Sequence, residues 1–290
     1  MLGLKRGTVA LFPHETEWEA EARRTAEKLN TILGGIAVDI QHVGSTAVKS
    51  ICAKPIIDIA VGVKSFDEVM KKRAELEENG FYHRSSSIEN QLLFACGSYY
   101  DGTGEEQTHF VHVVIYGSKE WQDYLLVRDY LNSHPDPAKE YEALKLKLAG
   151  ECPVDSGREH YLAGKHDFIR NLIRTALVDE YLGKTVAVKI DRPVGYVHRK
   201  ESYSLVYPLN YGYIPGVFGG DGEELDVYLL GVSEPVSEYT CKIIGAAYRK
   251  NDCEDKLIAA PEGISFTADE AYELIAFQEK WYDTQVKIID

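Results

Sequence analysis

The chain has 290 residues, of which 44% are hydrophobic and 27% are charged, a length and composition typical of a folded protein with two domains. Its formal net charge of −14 argues against general nucleic-acid binding, because a phosphate backbone is recognised by a basic surface. No apolar run approaches the roughly 20 residues that span a bilayer, so no membrane association is expected. Five scattered cysteines without a C-x-x-C pair favour reduced thiols, and we expect a cytoplasmic protein.

Residues 1–178 are predicted to form a domain in which helices and strands are mixed. Apolar residues at helical spacing, such as Trp18, Ala22 and Leu29, predict helices, and short apolar runs predict strands. The predicted helices are 16–33, 66–79, 119–132, 137–150 and 157–178. The predicted strands are 36–43, 55–63, 91–96 and 108–116. This order indicates a mixed sheet covered by helices.

After residue 180 short strands replace the helices. Gly and Pro cluster between these strands, a pattern typical of a small barrel. The predicted strands are 186–190, 203–206, 226–230, 242–248 and 257–259. A last helix is predicted at 267–282, because Thr267 and Glu270 form a capping box. We therefore predict an α+β protein with two domains, 1–178 and 184–290.

Two acidic loops in the second domain carry candidate metal ligands. Their acidic residues are Asp221, Glu223, Glu224 and Asp226, then Asp252, Glu254 and Asp255. Mg²⁺ prefers such hard oxygen ligands, and two bound ions would polarise a phosphoryl oxygen and activate water. In a protein of this net charge, acidic loops that are simply solvated are the alternative.

The same region resembles the family I inorganic pyrophosphatases. The resemblance lies in Tyr-Pro-Leu-Asn-Tyr-Gly-Tyr-Ile at 207–214, Asp-Gly-Glu-Glu-Leu-Asp at 221–226, and the loop and lysine at 252–261. It implies an OB-like β-barrel and Mg²⁺-dependent hydrolysis of pyrophosphate. It assigns metal binding to Asp221, Glu223, Asp226, Asp252 and Glu254. It assigns catalysis to Asp226, Glu223, Lys256 and Tyr211, and substrate binding to Tyr207.

Three departures from the family pattern affect the expected activity. Glu223 stands where the family has Asp, and the upstream arginine of the family falls in a shortened segment, where His198, Arg199 or Lys200 would replace it. We take Lys200 as the candidate substrate ligand. Trp281 and Tyr282 stand where the family has Tyr-Lys. With fewer cations, we expect hydrolysis to be slow, or to be directed at another phosphoanhydride such as a nucleoside diphosphate compound.

The first domain carries a Gly-Ser motif followed by an aspartate. A turn at Gly44, Ser45 and Thr46 that opens a helix would offer backbone N–H groups to a phosphate, and Asp58 would bind a magnesium ion. The alternative is a tight turn with a capping serine.

This motif, with 53–58, resembles the GrpB family, and the resemblance covers residues 7–175. It implies a nucleotidyltransferase-like fold, with Gly44, Ser45, Lys54 and His112 as candidate ligands of the substrate. A transferase of this fold usually has Asp-x-Asp, but the second position is Ala60, and 108–116 offers His109 and His112 in place of an acid. The domain therefore uses one metal, uses histidine as an acid or base, or binds a ligand without transfer. The two histidines are expected on opposite faces of a strand.

The leading hypothesis is a magnesium-dependent pyrophosphatase joined to a nucleotide-binding or nucleotidyltransferase-like domain. A transferase releases pyrophosphate, so the fused hydrolase would draw that reaction forward. The alternative from another class is a ligand-binding or scaffold protein that has lost turnover. A homo-oligomer is an open expectation, because family I pyrophosphatases often assemble.

Overall fold

The computed structural model describes residues 1–86, 88–151, 157–200 and 203–289. The chain forms two compact units, Met1–Ile173 (unit 1) and Arg174–Asp290 (unit 2). No helix in the described part of the chain is long and apolar enough to cross a membrane. Cys52, Cys96, Cys241 and Cys253 carry free thiols.

Unit 1 is built from helices and strands in alternation. The helices are α1 (Thr16–Leu33), α2 (Phe66–Lys71), α3 (Arg73–Glu78), α4 (Ser98–Asp101), α5 (Lys119–Ser133), α6 (Pro135–Glu151) and α7 (Arg158–Tyr181). The strands are β1 (Leu4–Lys5), β2 (Ala37–Val43), β3 (Ile57–Val63), β4 (Tyr82–Arg84), β5 (Gln91–Cys96), β6 (Glu106–Gln107) and β7 (His109–Ile115). The division between the units, at Ile173 and Arg174, lies within helix α7.

The main sheet of unit 1 has five strands in the order β2-β3-β7-β5-β4. Strands β3 and β7 are parallel, and the other pairs are antiparallel. Helix α1 buries Trp18, Ala22 and Leu29 against one face. Trp121 of α5 packs on the opposite face, against Ala60. Because side chains alternate along a strand, Asp58 lies on the same face as Ala60, towards α5.

One helix that was predicted to be continuous in unit 1 is interrupted. The predicted helix 66–79 is divided into α2 and α3, because the backbone of Lys72 (φ −91°, ψ 2°) leaves the helical conformation. Val69 and Leu76 are buried on either side of the break, so the predicted apolar face is kept. Nothing in the composition of this segment predicts the break.

In its described residues, unit 2 consists of strands, the end of α7 and one further helix. The strands are β8 (Thr185–Arg192), β9 (Val197–Lys200), β10 (Tyr203–Val206), β11 (Asn210–Phe218), β12 (Glu224–Leu229), β13 (Glu238–Arg249), β14 (Lys256–Ala260) and β15 (Thr284–Ile288). The helix is α8 (Ala268–Glu279), and Thr267 and Glu270 form the predicted capping box at its start.

Five strands of unit 2 close into a barrel in the order β14-β12-β11-β8-β13, since β13 also pairs with β14. The long strand β13 makes closure possible: its N-terminal half pairs with β8 and its C-terminal half pairs with β15 on the same edge. Gly212 allows β11 to approach β8, because a Cβ at this position would overlap the carbonyl oxygen of Lys189. The predicted α+β class, with a mixed sheet and a small barrel, is confirmed.

Candidate functional site

In unit 2, the ammonium group of Lys256 lies between two carboxylates. Strands β12 and β14 are parallel neighbours with Val227 opposite Leu257, and this register brings Asp226 beside Lys256. The Nζ of Lys256 donates to Asp226 and to Glu254. The side chains of Lys256 and Glu254 are 6% and 4% exposed, whereas that of Asp226 is 24% exposed. The open side of this cluster is therefore the side of Asp226.

Burial and mutual contact shift the pKa values of two groups in this cluster. Burial raises the pKa of Glu254 to about 7, although Lys256 acts against this, and Asp226 and Asp221 add to the rise. Burial by itself would lower the pKa of Lys256, but the two carboxylates outweigh it and the pKa is raised. Lys256 is therefore charged and is paired with Asp226, whereas Glu254 keeps its proton up to about neutral pH.

The residues around Glu254 fit a hard cation. Its Oε1 is buried and has no hydrogen-bond partner in the described part of the chain. A Cβ at Gly219 would overlap the same carboxylate, so the glycine loop lies directly against it. Carboxylate oxygens are the ligands that Mg²⁺ prefers, and Asp226 and Glu254, which both accept from Lys256, supply them.

The other predicted metal ligands are not brought to the same point. The Oδ1 of Asp221 accepts a hydrogen bond from the backbone N–H of Glu223 at 3.0 Å, and the Glu223 side chain is exposed. Asp252 is held by Arg249 at 2.8 Å. Within the ranges that the structure describes, no three His, Cys, Asp or Glu side chains are placed to hold one metal ion.

An arginine and two tyrosines connect this cluster to a neighbouring cavity. Tyr211 is buried and hydrogen-bonded to Asp226, and its pKa is raised well above the ordinary value by burial and by that carboxylate. The Nη1 of Arg192 donates to the Tyr207 hydroxyl at 2.8 Å, and its guanidinium carbon lies 5.0 Å from the centre of the Tyr211 ring.

The cavity has a volume of about 660 Å³, and we call it the Trp281 cavity. Its lining includes Arg192, Tyr207, Gln278, Lys280, Trp281 and Tyr282. Trp281 is 72% exposed. Tyr282 instead packs against Arg249, whose guanidinium carbon lies 3.7 Å from its ring centre.

Behind the cavity, a buried ion pair supports helix α8. Arg249 contacts Glu279 at 2.6 Å, and their side chains are 2% and 0% exposed. Tyr228 donates to the same glutamate at 2.5 Å, and Thr284 donates to it at 2.7 Å. Because Arg249 also holds Asp252, this pair positions both the acidic loop and the helix that precedes Trp281.

In unit 1, Gly44 and His112 hold the carboxylate of Asp58 from two sides. Gly44 has a φ of +70°, and a Cβ there would lie 2.5 Å from the Asp58 Oδ2. Such a φ and such a close approach both require glycine. The Nε2 of His112 lies 3.2 Å from the Asp58 Oδ1. Its Nδ1 is buried and has no partner among the described residues.

His112 lies beside Ala60, the position at which an Asp-x-Asp motif would carry its second aspartate. It is directly opposite Ala60 in the β3–β7 register, and its ring centre lies 5.0 Å from that of Tyr124. His109 points to the other face, where it contacts Thr25 at 3.2 Å. The prediction that the two histidines lie on opposite faces is thus confirmed, and only His112 faces Asp58.

Two adjoining cavities meet at Asp58. The lysine cavity, of about 430 Å³, is lined by Lys5, Thr8, Lys54, His112 and Lys165 among others. The apolar cavity, of about 320 Å³, is lined by Val48, Tyr124, Val127, Leu131, Ile169 and others. Ser45, Asp58 and Lys165 line both. Lys54 and Lys165 lie 4.3 and 4.7 Å from the centre of the Tyr161 ring, so two ammonium groups are concentrated at one wall.

Residues 8–175, more than half of the chain, match the family model described as GrpB protein. The chain belongs to the GrpB family. Residues 181–284 match a second model, described as inorganic pyrophosphatase. We therefore call unit 1 the GrpB domain and unit 2 the pyrophosphatase-like domain.

Similar proteins cover the GrpB domain. Glutamate-rich protein GrpB of Alkalihalophilus pseudofirmus is 42% identical over 176 residues, which are 60% of this chain and 98% of that protein. UPF0157 protein YqkA of Bacillus subtilis is 33% identical over 162 residues, 56% of this chain and 45% of that protein. The crystal structure of GrpB from Enterococcus faecalis, 28% identical, covers 59% of this chain and 99% of its own with a TM-score of 0.53.

The GrpB domain brings its predicted substrate residues to one place, with one correction. Gly44 lines the apolar cavity, Lys54 and His112 line the lysine cavity, and Ser45 lines both. However, the prediction that the Gly-Ser turn opens a helix is wrong, because Ser45–Ala47 forms only a single 3-10 turn. Ser45 therefore offers its own hydroxyl group, and no helix N-terminus supports a phosphate here.

The pyrophosphatase-like domain contains two cations that sequence reasoning missed. Arg192 and Lys280 line the Trp281 cavity. The sequence predicts only His198, Arg199 or Lys200 in place of the family's arginine. The Lys200 side chain lies outside the described residues. Arg192 ends strand β8 and is followed by a proline, and a basic residue at the end of a barrel strand was the available signal.

Proposed function

We propose that the pyrophosphatase-like domain hydrolyses inorganic pyrophosphate with the help of Mg²⁺. The observation that carries this proposal is the Lys256 ammonium between Asp226 and Glu254, with a Glu254 oxygen that lacks a partner among the described residues. A purely structural ion pair would leave no buried carboxylate oxygen unsatisfied. A buried carboxyl group that keeps its proton up to about neutral pH suits a substrate that arrives with a metal ion, because the ion would replace that proton.

The proposed roles follow from these contacts. Asp226 and Glu254 would hold the ion, with Asp221, Glu223 and Asp252 as further ligands from the loops. When bound, Mg²⁺ lowers the pKa of water and polarises a phosphoryl oxygen. Lys256 and Arg192 stabilise the negative charge that develops on the phosphate groups. Tyr211 fixes the orientation of Asp226, which accepts the proton of the attacking water, and Tyr207 and Lys200 bind the substrate.

The test is phosphate release from pyrophosphate as a function of Mg²⁺ concentration. We expect activity that requires the ion, and a Glu254→Gln variant that needs a much higher concentration for half-maximal rate. Glu262→Gln, in an exposed loop of the same domain, serves as the matched control. Folded wild-type protein that releases no phosphate at any Mg²⁺ concentration would favour the alternative of a binding or scaffold protein without turnover.

For the GrpB domain we propose binding of a nucleotide, with its phosphates in the lysine cavity and its nucleoside in the apolar cavity. The observation that favours this is the junction of the two cavities at Ser45, Asp58 and Lys165. Lysines and hydroxyl groups suit phosphates, and an apolar pocket suits a base and sugar. Asp58 would bind a magnesium ion that accompanies the phosphates.

Calorimetric titration with Mg²⁺ and adenosine triphosphate tests this second function. Val127→Trp would fill the apolar cavity and abolish nucleotide binding there, whereas Val38→Trp, at an exposed position of β2, would not. Equal affinities of the two variants would exclude the apolar cavity as the nucleoside site. Turnover of the bound nucleotide would separate a transferase from a binding domain.

If the GrpB domain transfers a nucleotidyl group, the pyrophosphatase-like domain would remove the pyrophosphate released. In the full chain, a variant without hydrolysis should then accumulate pyrophosphate and slow down, and an added pyrophosphatase should restore the rate. A nucleotide turnover that is indifferent to the state of the second domain would remove this coupling.

A further inference from the structure

The Trp281 cavity is larger and chemically more varied than pyrophosphate requires. Its volume of about 660 Å³ exceeds the space that two phosphate groups fill, and its wall includes aromatic and amide side chains besides cations. Pyrophosphate offers only oxygen atoms that accept hydrogen bonds from such a wall. The additional groups therefore need another explanation.

Gln278 supplies the first part of that explanation. It lines the Trp281 cavity, and its side-chain Oε1 is buried without a hydrogen-bond partner in the described part of the chain. A buried amide oxygen without a partner is unfavourable, and the group that satisfies it is an N–H or O–H donor. The terminal torsion of glutamine is soft, so the amide can turn towards a ligand in the cavity. Sugar hydroxyls and base amino groups are such donors, and a phosphoanhydride alone is not.

Trp281 supplies the second part. Its indole is 72% exposed, although the neighbouring Tyr282 is packed against Arg249. The Nζ of Lys280 lies 5.1 Å from the centre of a Trp281 ring, so a flat apolar surface and a cation stand side by side. Exposed aromatic surfaces of this kind bind nucleobases by stacking. Arg192 joins this end of the cavity to the reacting end, because it also lies over Tyr211, which bonds Asp226.

We propose that the pyrophosphatase-like domain has an organic subsite, formed by Trp281, Gln278 and Lys280, and that it also hydrolyses nucleoside diphosphates. The inference rests on the proposed hydrolysis at Asp226. In this step a water oxygen forms a bond to the terminal phosphorus, and the bond from that phosphorus to the bridging oxygen breaks. The bridging oxygen keeps the electron pair on the nucleoside monophosphate, and the proton of the water passes to Asp226. Water is the only co-reactant.

The experiment compares kcat/KM for Mg²⁺-adenosine diphosphate with that for Mg²⁺-pyrophosphate in the full chain. The ratio of the two should fall at least about tenfold in Trp281→Ala, because stacking on the base is lost. It should fall about fivefold in Gln278→Leu, where one hydrogen bond is lost. Trp281→Phe should recover most of the ratio. Tyr272→Ala, which removes an exposed aromatic side chain from α8, should leave it unchanged.

Three results would overturn the subsite. Wild-type protein that hydrolyses pyrophosphate and leaves adenosine diphosphate intact would remove it while the proposed function stands. A ratio that Trp281→Ala does not change would also remove it. A change of molecular mass in light scattering of that variant would then make Trp281 a contact between copies of the chain. If neither compound is hydrolysed, the proposed function fails. Fluorescence quenching by adenosine diphosphate, present in wild type and absent in Trp281→Phe, would then support the ligand class, and its absence would exclude it.

Discussion

In the pyrophosphatase-like domain, the buried ammonium of Lys256 lies between Asp226 and Glu254, with Asp221 nearby. In the GrpB domain, by contrast, the Asp58 carboxylate faces a cavity that also contains Lys54 and Lys165. The first site contains more carboxyl groups than cations and would bind an anion only together with a metal ion. The second has an excess of positive charge and would attract a phosphate directly. Opposite charge balances thus suit two different steps with phosphorylated compounds.

The buried ion pair between Arg249 and Glu279 should support folding and not hydrolysis. Its removal is the change for which we expect the largest effect. Glu279→Leu removes the buried carboxylate that pairs with the Arg249 guanidinium and leaves the partly exposed Asp252 as its ion-pair partner. We expect the pyrophosphatase-like domain to lose about 3–5 kcal/mol of unfolding free energy, with no loss in the GrpB domain. Hydrogen exchange resolves the two domains, and Glu273→Gln on the exposed side of α8 is the control. Equal loss of protection in both domains would contradict this expectation.

The second prediction concerns the cation of the acidic site. Lys256→Met should reduce pyrophosphate hydrolysis about 100-fold, because one group that stabilises the developing charge is lost. Nucleotide affinity of the GrpB domain should stay unchanged. Lys250→Met, at a lysine whose side chain is 66% exposed, should keep full hydrolysis in the same phosphate-release assay. A Lys256→Met enzyme as active as wild type would make this lysine structural only.

The third prediction concerns the cations of the GrpB domain. Lys165→Met should weaken the binding of adenosine triphosphate about tenfold, since one charge-assisted hydrogen bond to phosphate is lost. Calorimetry measures this, with Lys139→Met on α6, whose side chain is 75% exposed, as the control. Pyrophosphate hydrolysis should be the same in both variants. Unchanged affinity in Lys165→Met would place the phosphates elsewhere.

The smallest effect is a pH dependence of stability that arises from Glu254. Burial raises its pKa from the ordinary value of 4.5 to about 7, so the folded state keeps the proton over this range. The unfolding free energy of the metal-free protein should therefore fall as the pH rises from about 4.5 to 7. The contribution is less than about 1.4 kcal/mol per pH unit, as expected for one proton. Urea unfolding of wild type and Glu254→Gln checks this, because the variant should lack that part of the slope.

Local pattern was sufficient for the long helices and for the two acidic loops, since helical spacing and clustered carboxylates are properties of adjacent residues. Strand β15 was missed because the last helix was extended to residue 282, although it ends at Glu279. The alternation from Thr284 to Ile288, with Gln285 and Lys287 exposed, was the available signal. Helix α8 ends at Glu279, whose side chain is buried against Arg249 of β13, a strand that is distant in sequence.

The candidate sites were harder to predict, because their charges are set by contacts between distant segments. Arg192 reaches Tyr207 and Tyr211 only through the β8–β11 pairing. Asp252 is drawn to Arg249 by the turn after β13, which its carboxylate alone does not indicate. His112 lies beside Asp58 because β3 and β7 are parallel neighbours. Residue types identified the chemistry, and strand register decided which residues share a site.

The most direct measurement is phosphate release from Mg²⁺-pyrophosphate by the full chain, compared between wild type and Asp226→Asn. The variant keeps the size of the side chain but removes the charge that faces Lys256, and Asp269→Asn in the first turn of α8 is the matched control. The account predicts activity in wild type and in the control, and a loss of about 100-fold or more in Asp226→Asn. Equal rates in wild type and Asp226→Asn, or no phosphate release by correctly folded wild type, would contradict it.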